Sequence, residues 1–139
     1  MNLSLTDLPS LELRGQSTTV YNETDIGSAV TELRQRLPQS AGGFILLYDG
    51  TEPDRITVSA ATGASSDDGS LGRVAVPAAS EGVSVIFDTV PESIADTWVL
   101  IDAELEKRGL TSHGVYRQIM TPEGGTTLQA PVRERRCED

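Results

Sequence analysis

The spacing of apolar residues along the chain predicts two amphipathic helices. In "DIGSAVTELRQRLPQ" the apolar residues recur at helical intervals and end before Pro38, which cannot continue a helix; they are Ile26, Ala29, Val30, Leu33 and Leu37. In "PESIADTWVLIDAELEKRGL" the same spacing holds for Ile94, Trp98, Ile101 and Leu105. Its acidic residues come early and its basic residues late, with Pro91 in the predicted first turn and Gly109 at the end, as the helix dipole and capping favour.

The segments around these helices have the composition of short strands. β-branched and aromatic residues between turn residues indicate strands, and the predicted ones are "STTVYN", "GFILLYDG", "DRITVSAAT", "LGRVAVPA", "GVSVIFDTV", "HGVYRQIM" and "TTLQAPVR". Turn chemistry separates them in "DGTEPD", "PAASEG" and "TPEGG".

The two halves of the chain repeat the same pattern. A shift of 68 residues places Ile26 on Ile94, and a shift of 70 places Val58 on Leu128. Repeat one is expected over about 10–62, a linker over about 62–70, and repeat two over about 71–134. A single half would leave the helix-covered face of its sheet without enough structure to pack against. The sequence therefore predicts a single domain of the α+β class: two β-α-β-β repeats related by a pseudo-two-fold axis, with a joined antiparallel sheet and both helices on one face.

Composition and charge narrow the classes of function. Hydrophobic residues make up 37% of the 139 residues and charged residues 23%, and no apolar run approaches the roughly 18 residues of a membrane span. We expect a cytoplasmic protein without membrane contact. The chain has 11 basic and 21 acidic residues, a net charge of −10, and "RERR" is its only basic cluster. Direct nucleic-acid binding needs clustered positive charge, so it is not expected.

The order of several features in the second half resembles the GyrI-like small-molecule-binding domain. These features are "VPA" before a strand, a helix that carries Trp98, a strand that carries Tyr116, and the closing "APVR". The resemblance covers nearly the whole chain if the first half is counted as repeat one. This family supplies the effector module of many MerR-type and AraC-type regulators and also occurs as stand-alone proteins. It implies two halves about a pseudo-two-fold axis, with a ligand cleft between the helices above the sheet.

Gly114 departs from the pattern of that family. Members often carry a glutamate two residues before the strand tyrosine, and it supplies a buried negative charge for cationic ligands. Here the residue two before Tyr116 is Gly114. Because side chains alternate between the faces of a strand, Gly114, Tyr116 and Gln118 should share one face. The glycine either opens room in the cleft or bends the strand.

Several aromatic residues are candidates for the walls of a ligand cleft. Trp98 lies on the apolar stripe of its helix, so it either packs in the core or lines the cleft. Phe44 and Tyr48 share a strand face that the shift of 70 maps onto Gly114 and Gln118. Tyr48 and Tyr116 could therefore flank one cleft, or they are half-buried aromatics of an ordinary sheet.

Two further aromatic residues end the strands that precede the helices. They are Tyr21 and Phe87, and under the family resemblance they would lie near the mouth of the cleft. The full predicted ligand-binding set is Tyr116, Trp98, Tyr48, Gln118, Phe44, Tyr21, Phe87 and Gly114.

The sequence offers little for catalysis. The lone histidine, His113, has no cysteine or serine partner at recognisable spacing. One histidine and one cysteine, Cys137, cannot supply the usual zinc ligands, and no phosphate-binding glycine motif is present. Some GyrI-like proteins hydrolyse small electrophiles with a pocket glutamate, and Gly114 argues against that activity. We therefore expect no enzyme activity, no metal and no cofactor.

The function predicted from the sequence is the binding of a small apolar or aromatic molecule in a cleft between two helices, as a stand-alone ligand-binding or effector-sensing protein. A regulator or another protein partner would read the bound state. The alternative is a protein-interaction module of the gyrase-inhibitor type that acts through an acidic surface. A third possibility is a degenerate member of the fold with an empty cleft.

Overall fold

The computed structural model describes residues 3–36, 44–63, 72–121 and 124–134. Within these ranges the strands are β1 (Leu3–Leu8), β2 (Leu11–Val20), β3 (Phe44–Asp49), β4 (Ile56–Gly63), β5 (Gly72–Val76), β6 (Ala79–Phe87), β7 (Leu110–Ser112), β8 (Val115–Met120) and β9 (Thr126–Glu134). The helices are α1 (Ile26–Arg36), which follows a short 3-10 turn at Glu23–Asp25, and α2 (Ile94–Lys107). Leu37, Pro38, Cys137 and most of the expected linker lie outside the described residues.

The strands form one antiparallel sheet. Their order across it is β1-β6-β9-β8-β3-β4-β2-β5, and the short β7 pairs separately with β9. The second half supplies β6, β9 and β8, while the first half supplies β3, β4 and β2. The halves meet where β3 pairs with β8, in the middle of the sheet. This architecture confirms the predicted fold class.

Both helices cover the same face of the sheet, and the strand register shows this. Leu46 lies opposite Gln118, Gln118 opposite Leu128, and Leu128 opposite Val85. Side chains of directly opposed residues point to one face. Leu46 packs in the core under α1, and Leu128 and Val85 pack in the core under α2.

Each helix has its own hydrophobic core. The first core consists of the buried residues Val20, Ala29, Leu33, Leu46, Val58 and Ala60. The second consists of Val83, Val85, Ile101, Leu105, Leu128, Ala130 and Val132. A fully buried Leu, Ile or Val side chain contributes roughly 1.5–3 kcal/mol, so each half anchors its own helix. The boundary between the two cores follows the β3–β8 pairing.

The pseudo-two-fold axis passes through one residue pair of that pairing. The shift of 70 that relates the halves maps Leu47 onto Arg117, and the register places these two residues opposite each other. The same shift maps Leu46 onto Tyr116 and Tyr48 onto Gln118. Tyr48 lies opposite Tyr116, so the symmetry brings all four positions to the centre of the sheet.

The two edge strands are exchanged between the halves. β1 precedes β2 in the chain but pairs with β6, where Leu3 lies opposite Val85. β5 precedes β6 but pairs with β2, where Leu13 lies opposite Val74. Each half therefore completes the sheet of the other, a feature that the sequence pattern did not reveal.

Two boundaries differ from the sequence prediction. β2 begins at Leu11 rather than at Ser17, and its centre contains Gly15, where a Cβ would collide with the carbonyl oxygen of Ala60. The close strand approach explains a glycine within a strand. α2 begins at Ile94 rather than at Pro91, because the Ser93 side chain caps it by accepting a hydrogen bond from the Asp96 amide at 3.2 Å.

The face of the sheet without helices carries a buried arginine. Arg117 is only 1% exposed and lies on the same face as a third core of Leu13, Leu47, Ala61 and Val76. Its Nη2 donates to the carbonyl oxygen of Pro77 at 3.0 Å, while Nε and Nη1 have no hydrogen-bond partner among the described residues. Burial lowers the pKa of the guanidinium because it disfavours the charged form.

Candidate functional site

Four predicted site residues come together on the helix-covered face of the β3–β8 pairing. They are Tyr48, Tyr116, Gln118 and Trp98, and we call them the central cluster. Tyr48 packs against the core under α1, and Tyr116 and Trp98 pack against the core under α2. The cluster therefore lies at the boundary between the two cores, where the sequence predicted a cleft.

The aromatic part of the cluster is a pair of rings. The Trp98 and Tyr116 ring centroids are 4.6 Å apart, with an angle of 75° between the ring planes. This edge-to-face arrangement is favourable for aromatic rings and holds both in position. Trp98 is half-buried. It packs against the second core and also contacts Tyr116 of the cluster, so core packing is confirmed and its role as a cleft wall stays a prediction.

Tyr48 and Gln118 form the polar link across the pairing. The Tyr48 hydroxyl donates to Gln118 Oε1 at 2.8 Å. Gln118 is only 4% exposed, and its Nε2 faces the Met120 sulfur at 3.4 Å. Burial raises the pKa of Tyr48 to about 12, because the phenolate would lose its hydration.

Tyr116 is linked to a carboxylate on α2 through a serine. Ser112 Oγ lies 2.5 Å from the Tyr116 hydroxyl and donates to Asp102 Oδ1 at 2.7 Å. Burial raises the pKa of Tyr116, and the negative charge of Asp102 adds to this rise. An acidic group thus acts on the tyrosine, although it comes from the helix rather than from the strand.

Asp102 and Ser112 were not among the sequence-predicted site residues. Asp102 follows Trp98 by four residues, so the two share one side of α2, and that spacing is a signal the sequence contains. Ser112 has no comparable signal, because its position depends on the pairing of β7 with β9. Met120 was missed as well, although it follows Gln118 by two residues on the same strand face.

The other predicted site residues lie outside the central cluster. Phe44 packs against the first core, and the Arg34 guanidinium lies 4.7 Å from its ring centroid in a cation–π contact. Phe87 packs against the second core. Tyr21 is 74% exposed just after β2, so its ring makes little contact with the rest of the protein.

Gly114 has a conformational role at the start of β8. It precedes the first residue of the strand and has a φ of +76°, a region that side chains other than glycine rarely adopt. A Cβ at this position would point at Pro131, 3.5 Å from its Cγ. Of the two explanations for this glycine, the structure therefore favours a bend in the backbone over room in a cleft.

Two hollows of the described surface lie away from the central cluster. One, of about 280 Å³, lies at the β1–β6 edge and is lined in part by Leu5, Asp7, Glu81 and Glu134. The other, of about 540 Å³, is an open depression beside the outer face of α1. Neither is lined by an aromatic side chain, whereas the central cluster contains three. Aromatic side chains that could stack on a ligand are therefore found at the central cluster and not at these two hollows.

Groups with potential reactivity remain dispersed within the described ranges. His113 is exposed, and its backbone amide donates to Pro131 O at 3.0 Å. No three His, Cys, Asp or Glu side chains of the described residues come close enough to hold a metal ion. Over the same ranges, neither helix has the length and apolarity needed to cross a membrane.

Comparison with known proteins connects the fold to solved structures. No protein-family model and no curated protein matches the chain. An integron cassette protein from the mobile metagenome of Vibrio cholerae matches with a TM-score of 0.70 at 14% identity, over 94% of this chain and 95% of that chain. A putative transcription regulation protein from Staphylococcus aureus MU50 matches with a TM-score of 0.67 at 12% identity, over 96% and 99%.

A third match is a structure of SAV2435 bound to tetraphenylphosphonium. Its TM-score is 0.67 at 15% identity, over 96% of this chain and 94% of that chain. At such identities the similarity establishes a shared fold. The chain therefore has the fold of these three proteins over nearly its whole described length.

Proposed function

We propose that the protein binds a small apolar or aromatic molecule over the central cluster, as an effector-binding domain of the GyrI-like type. The observation that carries this proposal is the position of Tyr48, Tyr116 and Trp98. These half-buried aromatic side chains border the line where two separate cores meet. The buried members of both cores, by contrast, are all aliphatic side chains.

The aromatic rings suit a flat or bulky apolar ligand. Their edges and faces offer favourable stacking geometry. Burial of an aromatic ligand also removes apolar surface of both the ligand and the protein from water. Side chains from three elements converge here: Trp98 from α2, Tyr116 from β8 and Tyr48 from β3. A ligand at this position would contact both halves, so its binding would respond to their relative arrangement.

The matched structures support this proposal. The structure of SAV2435 has tetraphenylphosphonium bound, a bulky aromatic ion, and its fold covers almost all of this chain. The protein from Staphylococcus aureus MU50 is described as a putative transcription regulation protein. By analogy, we propose that a regulator or another protein recognises the ligand-bound form of this protein. The net charge of −10 still predicts that this chain does not bind nucleic acid directly.

The test is a titration with a neutral aromatic probe, 2-methoxynaphthalene, followed by calorimetry and by NMR. Trp98 is the only tryptophan, so its indole N–H gives a single resonance that reports on the cluster. We expect this resonance to shift progressively as the probe is added and to stop shifting once the site is saturated. Bound probe should also raise the melting temperature, because a ligand at 100 times its dissociation constant stabilises the fold by about 2.7 kcal/mol.

Two variants make the titration specific. Tyr116→Ala should weaken binding of the probe about tenfold or more, since it removes an aromatic wall. Leu100→Ala is the control, because Leu100 lies on the exposed side of α2 and is 62% exposed. If the probe produces no heat and no indole shift, or if both variants weaken binding equally, the proposal is wrong.

We also propose that binding occurs without turnover. The polar groups of the cluster are two phenols, an amide and a serine whose hydroxyl is bonded to Asp102. Such a set can orient a ligand, but it contains no imidazole, the group that most often serves as the base for a serine nucleophile. The probe 2-naphthyl acetate provides the check, and ester cleavage above the buffer rate that Ser112→Ala abolishes would contradict this proposal.

A further inference from the structure

A two-residue connection joins β5 to β6 and crosses the sheet. β5 ends at Val76 and β6 begins at Ala79, yet five other strands lie between these two in the order of the sheet. Six strand spacings in a flat sheet would cover about 29 Å, whereas the three Cα–Cα steps from Val76 to Ala79 reach at most about 11 Å. The sheet therefore curves strongly enough to bring the end of β5 close to the start of β6.

Pro77, in this connection, lies over the side chain of Arg117. Arg117 points to the face of the sheet without helices, as does Leu47 directly opposite it. Its Nη2 donates to the carbonyl oxygen of Pro77 at 3.0 Å, so the connection crosses that same face. The guanidinium is enclosed between β8 and the connection, which explains why Arg117 is only 1% exposed on a face that no helix covers.

The positive charge of Arg117 has no partner among the described side chains. Nε and Nη1 together carry three N–H groups, and neither nitrogen has a hydrogen-bond partner within the described ranges. The carboxylate of Asp49 is on the same face, two residues from Leu47 along β3, but its Oδ1 accepts from the amide and the hydroxyl of Thr51 at 3.0 and 2.7 Å. A guanidinium keeps its charge when it is buried, and a buried charge without a partner is costly.

We propose that Arg117 binds a small monovalent anion of the size of chloride, enclosed between β8 and the β5–β6 connection. One guanidinium supplies one positive charge, which a monovalent anion neutralises, whereas sulfate would bring a second, unpaired negative charge. Leu13, Val76 and the other members of the third core are apolar, so the N–H groups of Arg117 are the side-chain donors available there. The site is on the opposite face from the central cluster and does not depend on the proposed aromatic ligand.

Thermal unfolding of the whole chain tests this proposal, with sodium chloride replacing sodium gluconate stepwise at constant ionic strength. Gluconate is too large for an enclosed site beside one side chain, so only chloride should bind. An anion that binds the folded chain and not the unfolded chain raises the melting temperature as its concentration rises. We expect a rise of about 3 °C or more between chloride-free buffer and about 200 mM chloride.

Two variants with the same change in net charge separate this site from general salt effects. Arg117→Met removes the buried guanidinium and retains an unbranched apolar side chain, so its melting temperature should not respond to chloride. In gluconate it should be at least as stable as the wild type, because an unpaired buried charge is lost. Arg55→Met is the control: it removes a partly exposed guanidinium that lies 3.6 Å from Asp54, and it should respond to chloride as the wild type does.

NMR gives a second measurement that uses only the wild type, so it decides the matter even if Arg117→Met does not fold. The Arg117 Nε–H group is enclosed, and its resonance can be assigned through the backbone of the same residue. We expect this resonance to shift with the same dependence on chloride as the melting temperature. An unchanged Nε–H resonance, or an equal response of Arg117→Met and the wild type in thermal unfolding, would overturn the proposal.

Discussion

The two halves share one backbone plan and differ in chemistry at equivalent positions. In the first half, Arg34 of α1 lies over the Phe44 ring. The shift of 68 places Asp102 at the position of Arg34, and in the second half this acid is linked through Ser112 to Tyr116. The same helical position therefore carries a positive charge in one half and a negative charge in the other.

The difference is largest at the pseudo-two-fold axis. Leu47 of the first half is apolar and packs in the third core, whereas its equivalent and neighbour, Arg117, is a buried cation. On the opposite face, Leu46 corresponds to Tyr116 and Tyr48 to Gln118. The fold requires similar backbones at the axis but not similar side chains. The second half has accordingly taken on most of the polar groups.

The largest expected effect comes from giving the first half the buried arginine that the second half has at the axis. Leu47→Arg would place a second guanidinium beside Arg117 in a buried position, and we expect a loss of about 4 kcal/mol or more in the free energy of unfolding. Urea denaturation measures the loss. Leu47→Met is the control and should cost less than about 1.5 kcal/mol, since it conserves volume. Equal stability of both variants would contradict the buried environment described here.

Truncation of the aromatic residue on α2 should have the next largest effect. Trp98→Ala removes a half-buried indole from the second core and from its contact with Tyr116, with an expected loss of about 3 kcal/mol. Val30 occupies the equivalent position on α1, and Val30→Ala should cost clearly less because the side chain is smaller. Denaturation of the two variants measures how unequal the halves are. A larger loss for Val30→Ala would refute the comparison.

Giving the second half the buried leucine that the first half has at the axis should stabilise the protein. Arg117→Leu removes a buried charge with two unpartnered nitrogens among the described residues, and we expect a gain of about 1–3 kcal/mol in the free energy of unfolding. The gain is limited because the Pro77 carbonyl loses its donor. A clear loss of stability, with Arg117→Met equally affected, would mean that the guanidinium has a stabilising partner.

The smallest effect is a pH dependence that the two tyrosines should share. Burial raises the pKa of Tyr48 to about 12 and also raises that of Tyr116, above the ordinary value of 10.0. The unfolded chain releases these protons near pH 10, while the folded chain retains them. The contribution of these two tyrosines to the free energy of unfolding should therefore be constant below about pH 9 and fall as the pH rises from about 10 to 12.

Variants assign this loss to particular side chains. In Tyr48→Phe, the difference in urea midpoint between pH 8 and pH 11.5 should shrink markedly. Tyr21→Phe is the matched control, because the Tyr21 ring is 74% exposed. If both variants retain the full pH dependence of the wild type, burial of Tyr48 is not its cause.

Much of the fold could be predicted from periodicity and internal repetition. The apolar stripes of Ile101 and Leu105 on α2, and of Ala29 and Leu33 on α1, are buried as expected. These signals are strong because a helix repeats its spacing over several turns. β1 and the first part of β2 were missed, because their partners β6 and β5 lie in a distant part of the chain and local sequence does not reveal such pairings.

The candidate site was partly accessible to the same reasoning. The facing positions of Tyr48, Tyr116 and Gln118 follow from strand alternation combined with the shift of 70. Gly114 could not be interpreted, because a sequence does not distinguish a glycine that makes room from one with a positive φ. Nor could the hydrogen bonds that link Asp102 through Ser112 to Tyr116 be predicted. Ser112 comes close to Asp102 only because β7 pairs with β9.

The exchange of edge strands has a consequence for the order of folding during synthesis. β1 leaves the ribosome well before its partner β6, which lies about 80 residues later in the chain, as the pairing of Leu3 with Val85 shows. The first half can assemble β2, α1, β3 and β4 while β1 is still unpaired. Contacts between such distant segments slow folding, because a long loop must close before they form. β1 is therefore expected to dock only after β6 has been synthesised, as a late step that joins the second half to the first.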